Sequence, residues 1–198
     1  MSSFDVASTA DSFLEDLKEH HQQTGNILLL SSHPVFVDRV LKAPLAQTGA
    51  FTTAEHISIL KCLRHACAGS FSNAQLLTDL GVPGAVFEII CTSHAAYLAE
   101  KEHSYDKPVP GADSDSAESS RLDATALSDA QFRTLFGVAV QVLANHSACR
   151  PPPESSAPHP AAYLWALAGI DGFSKLINIA VSLTSQNGLS ATFAPLYN

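Results

Sequence analysis

The residues of this chain best placed to do chemistry are Cys62, His65 and Cys67, a sulfur–imidazole–sulfur set on one short stretch. Such donors are what a zinc ion takes. On a helix they fall at i, i+3 and i+5, so the two thiols point about 140° apart. All three cannot easily reach one ion, and a structural zinc wants four ligands. The spacing predicts packed cysteines and a polar, partly exposed His65, with no metal and no cofactor. His20 and His21 are adjacent and splay apart, as solvated residues at a helix end do. His33, His94, His103, His146 and His159 are scattered near helix ends and loops. Acids gather in loops rather than pairing on a helix face. The chain has no phosphate-binding glycine loop and no Gly-x-Ser-x-Gly elbow. With no positive signal for catalysis, it reads as a non-enzyme.

The elements that hold these residues form a pattern. From Ile59 the chain runs ILKCLRHACAGSFSNAQLLTDLGVPGAVFEII. This predicts a helix ending near Ala68, a polar break, a second helix from Asn73 to Leu80, and a turn at Gly81-Val82-Pro83-Gly84 that launches a third. Gly81 suits the position just past a helix end, where φ is positive. Pro83 suits a first turn, where its missing N–H costs nothing. The order recurs when Leu63 is set against Leu143 and Gly81-Val82-Pro83-Gly84 against Gly169-Ile170-Asp171-Gly172. The second copy is longer by a loop, Arg150 to Pro160, rich in proline. A repeated helical unit with a loop insertion is the signature of a helical repeat protein.

This pattern resembles the armadillo repeat: a helix with Leu-x-Asn, a polar break, a Gly-small-Val-Pro turn and an apolar helix. The segment Cys62-Leu63-Arg64-His65-Ala66-Cys67, with Asn73 and Gln75 after it, resembles the ataxin-ten family in particular. Phe132-Arg133 to Leu143-Ala144-Asn145 looks like that family's next unit. The resemblance spans about Thr53 to Ser182 and implies an all-α, armadillo-like right-handed superhelix of stacked helices. It implies a cytosolic, non-catalytic adaptor associated with cell survival, neurite growth or cytokinesis. In armadillo proteins the residue matching Asn145 lies on a concave helix and bonds the backbone of an extended peptide. The matching residue of the earlier unit here is His65, so an asparagine ladder is incomplete. Asn145, His65, Arg64 and Gln141 are the candidate partner-binding residues. The alternative for Asn145 is that it satisfies backbone groups at the end of its own helix, near Ser147.

Bulk properties agree with buried helices. The 198 residues are 46% hydrophobic and 15% charged, with a formal net charge of −8. Between Glu100 and Asp129 eight acids face three bases, so that stretch alone supplies −5. A negative chain without Lys/Arg clusters argues against nucleic acid and against anionic membrane surfaces. Four cysteines, three of them in apolar helices, suit a reducing, cytoplasmic setting. The N-terminus is acidic and polar, unlike a secretory signal. Unbroken apolar runs fall short of a membrane span, and the stretch from Ala161 to Leu183 is interrupted by Asp171, Gly172 and Lys175.

In chain order, a first amphipathic helix is expected from Asp11 to Gln23, then a short one capped by Asn26, then one opened by Pro34. Residues 1–51 form an N-terminal cap or degenerate repeat. Thr52 with Glu55 and Ser128 with Gln131 match the capping-box spacing. Residues 52–101 are one repeat, 102–127 an acidic Ser/Pro-rich insertion, 128–184 a second repeat with its loop at 150–160, and 185–198 a tail. Ser114, Ser116, Ser119 and Ser120 are candidate phosphorylation sites. The helix from Ser128 to Ser147 is apolar all round and is expected at the centre. With too few repeats to close a core, the chain is expected to bind other proteins and to self-associate through an apolar end face. The competing reading is a small helical ligand-binding domain, or an enzyme without a recognisable motif.

Overall fold

The structure, a computed structural model, describes residues 5–42, 45, 50–105 and 127–185. Those residues form α-helices and short helical turns, with no strand among them.

Helix α1 (Val6–Thr24) begins five residues before the expected Asp11. Asp5 caps it, accepting the Ser8 N–H at 3.0 Å. Val6, Ala10, Phe13 and Leu17 then form one buried stripe at i, i+4, i+7 and i+11. Burying Phe13 and Leu17 contributes about 1.5–3 kcal/mol each. Gly25, at φ 70°, ends the helix.

The short helix expected from Asn26 does not form; only a 3₁₀ turn, Leu30–Ser32, is present. The reason is a competing partner. The Leu30 N–H donates to Asn73 Oδ1 at 2.8 Å, and Asn73 Nδ2 donates to the Leu28 carbonyl at 2.9 Å. These backbone groups are held by a distant side chain instead of a helical ladder. Pro34 does open the next helix, α2 (Pro34–Phe36), which passes into a π-helical turn, Val37–Leu41.

Helix α3 (Thr53–Cys67) starts at the expected box. The Glu55 N–H donates to Thr52 Oγ1 at 3.3 Å and the Thr52 N–H to Glu55 Oε2 at 2.7 Å. Helix α4 (Phe71–Asp79) starts two residues before Asn73 because Ser70 caps it. Helix α5 (Val82–Tyr105) carries Pro83 in its first turn and continues past Lys101 into the stretch read as insertion. Helix α6 (Asp129–Ala148) starts at the Ser128/Gln131 box. Helix α7 (Pro160–Ser185) bends at Gly169, where φ is 57°. Ser114, Ser116, Ser119 and Ser120, and the tail beyond Ser185, lie outside the described residues.

Helix α3 packs between α1 and α6, and α6 touches α3, α5 and α7. The expected central helix is thus central. Helices α4 and α5 both meet α7. Both turns hold a positive-φ glycine, Gly81 at φ 71° and Gly169 at φ 57°. Each leads to a glycine at the contact of α5 with α7. A Cβ on Gly84 would stand 3.6 Å from Leu167, and one on Gly172 would stand 3.0 Å from Phe87 Cζ.

The first and last described long helices differ on their exposed sides. The outer side of α1 exposes Asp11, Ser12, Glu15, Asp16, Lys18 and Glu19. The outer side of α7 exposes Ile170, Ile177 and Val181. Two helical stretches, Val82–Glu102 and Pro160–Thr184, are long and apolar enough by length and composition to cross a membrane. The second holds the Ala161 to Leu183 stretch, with Asp171 and Lys175 inside it. Val86, Ile90 and Tyr97 of the first stretch are buried among the other helices.

Candidate functional site

Helix α3 ends at Cys67, so the carbonyls of residues 64 to 67 lose their helical partners. Each finds another. The Arg64 carbonyl accepts from Asn145 Nδ2 at 2.9 Å. The His65 carbonyl accepts the Ala68 N–H at 3.2 Å. The Ala66 carbonyl accepts from Asn73 Nδ2 at 2.8 Å, and the Cys67 carbonyl from the Cys149 thiol at 3.0 Å. Three side chains from α4, α6 and the end of α6 thereby close one helix end. Leaving such groups unpaired costs about 1–3 kcal/mol each when buried.

The four candidate partner-binding residues come together at this place. Arg64 Nη1 donates to Gln141 Oε1 at 3.0 Å, joining α3 to α6. Arg64 Nη2 lies 3.0 Å from His65 Nε2. The guanidinium has only donors, so this imidazole nitrogen accepts and the ring proton sits on Nδ1. Burial holds the His65 pKa below its ordinary value, and the Arg64 cation, Lys18 and His21 push the same way. His65 is therefore a neutral acceptor at pH 7. Arg64, His65, Gln141 and Asn145 are all half-buried.

Asn145 makes a bond that neither expected role includes, to the carbonyl of Arg64 on α3. It neither closes its own helix near Ser147 nor leaves its amide N–H groups wholly free for a ligand: one is committed to the end of α3. Ser147 Oγ instead donates to the Ala144 carbonyl at 2.9 Å.

Compared with family models, with curated proteins and with solved structures, the chain matches none. Its site must be read from its own geometry.

The cysteines hold helices together. The Cys62 thiol donates to the Ala10 carbonyl of α1 at 3.0 Å, and burial pushes its pKa up to about 12. Burial also raises the Cys67 thiol, with Cys149 nearby acting in the same direction. Protonated thiols of this kind are poor nucleophiles and poor metal ligands. Among the described residues no three His, Cys, Asp or Glu side chains cluster to hold a metal ion.

His146, in the last turn of α6, is also a core residue. Its Nε2 lies 3.1 Å from the Ala74 carbonyl and 2.9 Å from Thr78 Oγ1, both on α4. A carbonyl only accepts, so Nε2 carries the proton. Nδ1 is then bare and has no protein partner. Burial lowers the pKa, against the raising effect of the Ala74 bond. The signal was present in the sequence: Phe132, Leu135, Ala139, Val142 and His146 continue one helical stripe.

A groove of about 400 Å³ runs between α6 and α7. Val140, Ala144 and Ser147 line one wall, and Trp165, Phe173 and Leu176 the other. Its lining includes one hydroxyl, Ser147, and no titratable side chain. General acid–base catalysis needs a titratable group in reach of its substrate, so this groove suits apolar contact rather than chemistry.

Proposed function

We propose that this chain is a non-catalytic protein–protein interaction scaffold built on armadillo-type stacking, with the cytoplasmic adaptor role that its resemblance to the ataxin-ten family implies. One observation carries the reading: both units turn at a positive-φ glycine, Gly81 and Gly169, and their long helices α3 and α6 lie side by side. Stacked repeats place equivalent helices next to one another and use the resulting surface for binding. On that surface Arg64, His65, Gln141 and Asn145 form one connected polar strip. Arg64 and the His65 Nδ1–H supply donors and the Asn145 Oδ1 an acceptor, a mixture that suits the carbonyls and amides of an extended polypeptide.

The test begins with affinity purification of the intact chain, followed by direct binding of each recovered, purified protein. Arg64→Ala and His65→Ala keep the backbone carbonyls that Asn145 and Asn73 close. A true partner of the strip loses about tenfold or more in affinity with these variants, while their far-ultraviolet circular dichroism matches wild type. Partners that bind all variants equally would move the function off the strip. Recovery of no direct binder would overturn the scaffold reading.

The ligand-binding alternative has the apolar groove in its favour. Its size falls in the range of small-molecule sites. Its near absence of polar groups leaves little to orient a small ligand, which favours contact with another polypeptide.

A further inference from the structure

We propose that Arg64 and the side chains around it form a carboxylate-binding site, and that the partner of the strip is an extended polypeptide that sets an Asp or Glu side chain on the Arg64 guanidinium. This deepens the scaffold reading and rests on it for the polypeptide, though not for the anion.

The first ground is a charge without a counter-ion. Arg64 is half-buried, and no carboxylate among the described residues lies within ion-pair distance of it. Its two side-chain bonds go to neutral acceptors, Gln141 Oε1 and His65 Nε2, each at 3.0 Å. Hydrogen bonds from a cation to an anion are shorter and stronger than those to neutral groups. The Glu15 carboxylate on α1 is held by Lys18 at 2.7 Å. Burial first, then the charges of Arg64, Lys18 and His21, hold the His65 pKa down, so the groups that act on this ring are cationic. On a chain of net charge −8 this is a local patch of the opposite sign.

The second ground is a surplus of donors. Of the five N–H groups of Arg64, two are used in these bonds and three are left. His65 adds its Nδ1–H, and Asn145 keeps a second Nδ2–H besides the one given to the Arg64 carbonyl. Gln141 binds through its oxygen, which leaves its amide N–H groups. Acceptors are scarcer, because the carbonyls of Arg64, Ala66 and Cys67 at the end of α3 are already closed by Asn145, Asn73 and Cys149. A polypeptide backbone brings donors and acceptors in equal number. The surplus calls for a group that only accepts, and an ionised carboxylate does so through about four lone-pair sites.

The guanidinium is also held in advance. Gln141 on α6 fixes Nη1 and His65 on α3 fixes Nη2, so the planar fork loses little freedom when a ligand arrives. A carboxylate suits the place better than a phosphate. Arg64 lies in the last turn of α3 and Asn145 near the end of α6, where each helix carries about half a negative charge. That field opposes a dianion more than a single charge.

Nuclear magnetic resonance of the full chain tests this, by titration with a short capped peptide of alternating serine and glutamate at about 0.15 M salt. The expected result is a saturable shift of the Arg64 Nε–H and Asn145 Nδ2–H signals. Binding should be about tenfold or more weaker for the peptide with glutamine in place of glutamate. Arg64→Gln should lose about tenfold or more in affinity, and Arg64→Lys should recover only part, because lysine keeps the charge without the fork. Lys42→Gln, which removes an exposed cation paired with Asp38, should bind as wild type does. Equal affinity for the two peptides would overturn the proposal, as would shifts that bypass Arg64 in the wild-type chain. So would inorganic phosphate binding at Arg64 as tightly as the glutamate peptide. A chain that binds this peptide at Arg64 but captures no protein directly would overturn the scaffold reading and leave the carboxylate site standing. A strip partner whose binding survives replacement of all its Asp and Glu by Asn and Gln would do the reverse.

Discussion

Asn145 and Asn73 close the same helix end, donating to the carbonyls of Arg64 and Ala66 from two different helices. They come from α6 and α4, so the end of α3 is where three elements are tied together. This bears on any binding role for Asn145. Its Nδ2 already holds the stack, and a ligand would compete with the fold for it. Asn145→Ala is therefore expected to lower unfolding free energy by about 1 kcal/mol, the usual size of one lost intramolecular hydrogen bond. Urea unfolding checks it, and an unchanged midpoint would return Asn145 to a purely external role.

Asn73 has more to lose. It is buried and makes three bonds, to the Leu30 N–H and to the Leu28 and Ala66 carbonyls. Asn73→Leu keeps the volume roughly constant and leaves all three backbone groups unpaired. The expected loss is about 3 kcal/mol or more, clearly above that of Asn145→Ala. Hydrogen exchange at the Leu30 amide should rise in the same variant, because its acceptor is gone.

The paired glycines after the turns should respond in opposite directions to alanine. At Gly84 an added Cβ meets only Leu167, at an ordinary 3.6 Å, and the helix gains about 0.5–1 kcal/mol of backbone entropy advantage. At Gly172 it would stand 2.8 Å from the Ala168 Cβ and 3.0 Å from Phe87 Cζ. Gly172→Ala forces a neighbour to move and should destabilise by about 1–3 kcal/mol. Thermal melts of the two variants, measured side by side, decide this; equal shifts would mean that the close packing of α7 on Phe87 is wrong.

Acid should weaken the fold through its buried histidines. Burial lowers the folded-state pKa of His146, and of His56, His65 and His94 in the same direction. In the unfolded chain these rings titrate near the ordinary value of about 6.5. Below that value, down to the folded pKa, the unfolded chain binds more protons, so stability falls as pH falls. The contribution is complete above about pH 6.5 and is lost on acidification, with His146 adding up to about 1.4 kcal/mol per pH unit. His146→Gln keeps a donor for the Ala74 carbonyl but cannot titrate. Its unfolding midpoint should depend less on pH between about 6.5 and 5 than that of wild type; an identical slope would remove His146 from the acid response.

How much could be read from the chain alone differs by residue. Thr52 with Glu55 and Ser128 with Gln131 were legible as helix starts, and Gly81 and Gly169 as turns. In each case the partners lie within a few residues and the backbone requirement is local. The apolar stripe of α1 was legible, but its start was not, because Asp5 sits outside the periodic region. Arg64, His65, Gln141 and Asn145 stood out by their likeness to a repeat pattern. That α6 lays Gln141 and Asn145 against Arg64, 77 and 81 residues away, was not visible in their spacing.

Sequence by itself determined most of the helices, the caps at Thr52 and Ser128 and the glycine turns at Gly81 and Gly169. Those features depend on contacts three or four residues apart and on a few backbone angles. Tertiary structure alone decided which polar side chains are structural and which apolar stripes stay open. Asn73, Asn145 and His146 acquire their roles from orphaned or accessible carbonyls on other helices. Val82 and Ile89 of α5 and Ile170 and Ile177 of α7 are alike as residue types, yet the first pair is buried and the second exposed, because no described helix packs on that side of α7. Burial depends on neighbours brought in by the fold, and a one-dimensional pattern does not say which neighbour arrives.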